Sequence, residues 1–123
     1  MQAMPDRSFQ QLVAEALDSL PEEIASRMQN VEVVVVDEPP LEYLRGLPRG
    51  STLLGHYHGV PLTRRGFDYE KVLPDVISIY RGPIERMART PDAIKEQVRR
   101  TVVHEVAHHF GIDDDRLDEL GWS

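Results

Sequence analysis

The chain has 123 residues, 41% hydrophobic and 28% charged, a balance that excludes a disordered segment and fits one domain spanning residues 1–123. With 14 Lys and Arg against 21 Asp and Glu, its formal charge of -7 argues against a phosphate-backbone binder, so no nucleic-acid partner is expected. It has no cysteine, which removes disulfide scaffolds, thiolate metal sites and cysteine nucleophiles; any metal must be held by His, Asp or Glu.

No stretch approaches the roughly 18 apolar residues of a membrane span. The segment Met1 to Gln11 is polar and lacks an apolar signal-peptide centre. The chain is therefore expected to be cytoplasmic, without a membrane partner, and a monomer or weak oligomer.

Ser8-Phe9-Gln10-Gln11 reads as a capping box opening a helix, whose apolar face is Phe9, Leu12, Val13, Ala16, Leu17 and Leu20. Pro21 stops it and starts a short second helix to Met28. Val31 to Val36, β-branched but for one Glu, has the composition of a buried strand, ended by Asp37-Glu38-Pro39-Pro40. Residues 41–50 hold a helical turn and a Gly/Pro-rich loop. Leu53 to Val60 reads as a second strand, weakened by Gly55 and Gly59, and residues 61–74 as a long polar loop. Asp75 to Arg81 is a third strand with Val76, Ser78 and Tyr80 on one face. Gly82-Pro83 breaks it, and Ile84 to Arg89 forms a helical turn. Thr90-Pro91 opens the longest helix as N-cap and first residue, running to about Phe110, with Gly111 as its left-handed stop. A short helix over Asp115 to Leu120 closes the chain. The class is α+β with a small sheet of about three strands.

The long helix carries His104-Glu105-Val106-Ala107-His108. At about 100° per residue the two histidines fall roughly 40° apart, one turn along, so both imidazoles leave one stripe with Glu105 beside it. Two neutral imidazoles about 2 Å from an ion and a nearby carboxylate left over as a base are what a catalytic zinc site needs. A shuffled chain of this composition shows the five-residue pattern in roughly 2% of cases; adding Gly111 and an acid three residues later lowers that to about one in several thousand. Gly111 allows a sharp turn that brings Asp114 back towards the histidines as third ligand, with Asp113 or Asp115 as substitutes. The competing reading of these acids is capping of a short helix. His109 lies off the ligand stripe and reads as packing or surface. His56 and His58 share a strand face and read as solvent-facing polar residues, an accessory metal pair being the lesser alternative.

The stretch His104 to Asp114 resembles the extended zinc signature of the zincin metallopeptidases in the variant with Asp as third ligand. More closely, the chain resembles a family of small bacterial zincin-like proteins, the minimal zincins. The similarity takes in Val31 to Val36 with Glu38-Pro39-Pro40, Tyr57 with Gly59-Val60-Pro61-Leu62-Thr63, Leu73-Pro74-Asp75, Tyr80-Arg81-Gly82-Pro83-Ile84, and Asp115 to Gly121. The resemblance implies a small twisted mixed sheet packed on the active-site helix and the N-terminal helix. It implies Zn²⁺ on His104, His108 and Asp114, with Glu105 as catalytic base. Larger zincins carry a methionine turn after the signature; here Met1, Met4, Met28 and Met87 all precede it.

The resulting expectation is a zinc-dependent metallopeptidase acting on a peptide or protein substrate. An extended substrate would add to an exposed edge strand beside the metal. The segment Val76 to Tyr80 is the candidate strand, with Tyr80 or Arg81 assisting the oxyanion or a substrate carboxylate. The alternatives are a zinc-binding regulatory or protein-interaction module without turnover, and a non-haem Fe(II) oxygenase, whose ligand set is also two His and one carboxylate.

Overall fold

The computed structural model of the protein describes residues 6–47, 53–59 and 74–119. Helix α1 (Asp6–Asp18) begins two residues ahead of the predicted Ser8 cap, and its i, i+3, i+4, i+7 spacing buries Phe9, Leu12, Val13 and Ala16. Pro21 stands as N-cap of α2 (Glu22–Ala25) rather than as its first residue, and α2 buries Ile24 before a single 3-10 turn over Ser26–Met28.

The sheet has the order β1-β3-β2, with β1 (Val31–Val36) parallel and β2 (Gly55–His58) antiparallel to β3 (Asp75–Tyr80). Two sequence expectations change here. The valine run of β1 has the composition of a buried strand, yet among the described residues it is an outer strand of the sheet and mostly half-buried. Conversely Val76 to Tyr80, expected at an edge, is central, and among the described residues β2 takes the outer place on that side. Composition records β propensity; it does not record which of two strands the other crosses over to join.

Short α3 (Leu41–Leu44) supplies the expected helical turn. Helix α4 (Arg81–Met87) starts three residues earlier than predicted, with Gly82-Pro83 inside its first turn, where a missing proline amide is harmless. The Gly82 amide donates to Asp37 O at 2.8 Å, and a Cβ there would collide with the Glu38 carboxylate. Only glycine lets the loop after β1 lie this close, and Glu38 then grips Arg86 through both oxygens, each at 2.9 Å.

The long helix α5 (Pro91–His109) is capped as expected: Thr90 Oγ1 accepts from Ala93 N at 3.1 Å and Pro91 opens the first turn. Its apolar back, including Val98, Val102 and Val106, packs against α1, Ile77 and Ile79, all within one core cluster. Each such fully buried side chain contributes about 1.5–3 kcal/mol. A last helix, α6 (Asp114–Glu119), seats Leu117 on the same core. The architecture is thus α+β, a three-stranded mixed sheet with α5 across it and α1 alongside α5. The predicted 61–74 loop lies outside the described residues except for Pro74, as do Val60 and residues 48–52. Among the described residues no helix is long and apolar enough to cross a membrane.

Candidate metal centre

Because the back of α5 is buried, its front faces outward, and there His104 and His108 are exposed with ring centroids 4.1 Å apart. The helix ends in a glycine-dependent reversal. Ile112 N donates to Ala107 O at 2.8 Å and Gly111 N to His108 O at 3.3 Å, with Gly111 at φ +74°. That pair of bonds is the Schellman motif, and the buried Ile112 that follows anchors it. The chain thereby folds back and starts α6 immediately.

Three acids follow this reversal. Asp113 caps α6: its Oδ1 accepts from Arg116 N at 2.8 Å. Asp115 is exposed on α6. Asp114 is the first residue of α6, and its side chain lies outside the described residues. Among the described residues no group of three His, Asp or Glu side chains is placed to hold a metal ion. Of the three expected donors, the described residues bring together His104 and His108.

Glu105 points elsewhere. It is half-buried, and its Oε1 accepts from the main-chain amide of Tyr57 at 3.1 Å. The reason lies in the sheet. Tyr80 N donates to Leu54 O at 2.9 Å, so by antiparallel alternation His56 and His58 turn their main-chain groups to β3 while Gly55 and Tyr57 turn theirs to the outer edge. The outermost amide of β2 thus meets the carboxylate of α5. A Cβ on Gly55 would stand 2.6 Å from Thr101 Cγ2, so glycine permits this approach of strand and helix.

Tyr57 fixes the junction twice more. Its hydroxyl donates to Asp75 Oδ2 at 2.6 Å, and its ring stacks on His109 with centroids 3.9 Å apart. His109 Nε2 also lies 3.8 Å from Asp75 Oδ2. His109, expected to be a packing or surface residue, is both: it is exposed, and its ring lies against Tyr57. Tyr57, by contrast, enters the sequence reading only as part of the family resemblance. The one local signal is alternation: a tyrosine between two histidines in a strand must face away from both.

Tyr80 and Arg81, the expected substrate contacts, part company at the junction of β3 and α4. Tyr80 is 1% exposed; burial raises its hydroxyl pKa, the charges of Tyr43 and Glu105 add to this, and a bond with Ser78 opposes it. Tyr80 therefore shares the electrostatic surroundings of Glu105. Arg81 opens α4 and reaches Asp37 at 2.6 Å and Glu85 at 3.9 Å. His56 and His58 are half-buried rather than solvent-facing, beneath Tyr43 of α3.

A small mixed sheet whose outer antiparallel strand lies against a helix bearing His-Glu-x-x-His defines a metallopeptidase-like architecture. The model of the zincin-like metallopeptidases matches residues 28–122, and the chain belongs to that family. It is also similar to the solved structure of a conserved hypothetical protein from Thermus thermophilus. The two are 27% identical with a TM-score of 0.57, over 87% of this chain and 94% of that one. No curated protein matches.

Proposed function

We propose that this protein is a zinc-dependent peptidase, with Zn²⁺ held by His104, His108 and Asp114 and with Glu105 as general base. The observation that carries the reading is the separation of roles on one helix. His104 and His108 stand side by side on the exposed front of α5, while Glu105 turns to the outer strand. A structural site has no use for a carboxylate held beside it in this way.

The donors fit the ion. An ion about 2 Å from each of two imidazole nitrogens holds their ring centroids on the order of 5 Å apart, a small rotation from the 4.1 Å of His104 and His108. Asp114, one residue past the acid that caps α6, brings the third, anionic donor. Bound zinc supplies Lewis acidity, drawing the pKa of water towards neutrality and polarising a carbonyl.

The remaining chemistry belongs to the chain. Glu105 accepts the proton of the attacking water at a carboxylate oxygen and passes it to the leaving amine. An extended peptide adds by backbone hydrogen bonds to a strand edge beside the metal, and among the described residues β2 is the outer strand there. The substrate is a peptide or protein, and the acidic chain makes no use of nucleic acid; a monomer or weak oligomer suffices, since every proposed group lies on one chain.

Glu105→Gln provides the test, because its amide oxygen still accepts from Tyr57 N. The variant is expected to retain zinc while losing all cleavage of a peptide library that the wild type cleaves. Equal cleavage by both proteins refutes the base role. A zinc-loaded wild type that cleaves nothing leaves a metal-binding module instead.

A further inference from the structure

We propose that His56 and His58, on the face of the sheet turned away from α5, form a second and weaker site for a borderline divalent transition-metal ion, Zn²⁺ among them. The two faces of β2 are set by their contacts. Tyr57 stacks on His109 of α5 and the Cβ direction of Gly55 meets Thr101 of α5, so the alternate residues His56 and His58 lie on the other side. They stand in register with Ser78 and Val76 of β3.

The spacing of this pair nearly repeats that of the histidines on α5. The ring centroids of His56 and His58 are 4.3 Å apart, against 4.1 Å for His104 and His108. A strand reaches by i, i+2 what a helix reaches by i, i+4. The rings are also held in place. Tyr43 stacks on His56 at 4.8 Å and lies 5.7 Å from His58, and Ser78 Oγ is 3.3 Å from His58 Nε2. Side chains already confined by packing lose less rotamer entropy when they take a ligand. Burial, and then the neighbouring His56, lower the pKa of His58, and the charge of Glu105 works in the opposite sense.

The donor set decides which ion and how tightly. Two imidazoles with the neighbouring Ser78 hydroxyl suit Zn²⁺, Ni²⁺ or Cu²⁺ and not Ca²⁺ or Mg²⁺, which take oxygen ligands. With no carboxylate among the donors, the pair holds Zn²⁺ less firmly than the His104, His108 and Asp114 set. The site shares no donor with the proposed peptidase centre.

Titration of the folded full-length chain with Zn²⁺ separates the two sites. The wild type is expected to take a second, weaker equivalent beyond the one surviving dialysis. His56→Gln with His58→Gln should lose that second equivalent and keep the first, whereas His104→Ala with His108→Ala should do the reverse. Undiminished uptake by the His56/His58 variant, or no second equivalent in the wild type, overturns the proposal. Failure of the centre on α5 looks different: the His104/His108 variant then binds as the wild type does. Should the His56/His58 variant not fold, ring-nitrogen NMR of the wild type gives the answer. Zn²⁺ beyond one equivalent must shift the His56 and His58 ring nitrogens, and unmoved signals overturn the site.

Discussion

Asp113, Asp114 and Asp115 stand in a row, and only their surroundings tell them apart. The Asp113 carboxylate serves the first turn of α6 through Arg116 N, so its removal strips a helix cap. Asp113→Ala is expected to cost about 1 kcal/mol of stability, the usual worth of an N-cap, and to leave zinc content unchanged. Asp114→Ala is expected to abolish tight zinc binding. Thermal melts and metal analysis of the two variants check this, and zinc loss in the Asp113 variant alone would move the third ligand there. At this scale the sequence tells much. His104 and His108 are legible because an i, i+4 pair needs nothing but the helix, and Gly111 because a left-handed stop has few other residues to choose from. The bond from Tyr57 N to Glu105 is not legible, since its partners are 48 residues apart and meet only after strand and helix have docked.

The contact of β2 with α5 is the element-scale feature on which the site depends. It rests on a missing side chain. A methyl at Gly55 would stand 2.6 Å from Thr101 Cγ2 and 3.0 Å from Ser78 O, so either the strand or the helix must shift. Gly55→Ala is expected to destabilise by about 1–3 kcal/mol, as overpacked sites do, and to weaken the hold of Tyr57 on Glu105. Denaturant unfolding measures the first effect, and the chemical shift of the Tyr57 amide reports the second. Stability equal to the wild type with an unmoved amide would show that the approach is not tight. Helices and strands themselves are legible from periodicity and caps. Their spatial order is not: β1 and β3 are joined in parallel across the intervening β2, so the later strand lies in the middle. A local pattern carries no record of that crossing.

Two carboxylates show how the acidic molecule uses its cations. Arg86 holds Glu38 by both oxygens, clasping the loop after β1 to α4, and Arg99 with Arg100 holds Glu96 on α5. The hydrogen bonds to these arginines, foremost Arg86 for Glu38 and Arg99 for Glu96, lower both carboxyl pKa values below 4.5. In acid the unfolded chain therefore binds protons that the folded one resists. The contribution is present above 4.5 and is lost as pH falls below it. Glu38→Gln is expected to flatten part of that acid limb in a stability-against-pH series, and an unchanged limb would show the clasp to be idle. The Arg86–Glu38 pair is solvent-exposed and the Glu96 cluster partly so, so added salt should shrink the effect, more for Glu38.

The whole molecule reads as a small frame for one exposed row of imidazoles, and its family membership places it among zincin-like metallopeptidases. Metal content measured on the dialysed protein addresses that most directly. Wild type is predicted to retain one equivalent of zinc, and the folded variant His104→Ala with His108→Ala to retain none. A full equivalent still bound to the chain lacking both imidazoles contradicts the account.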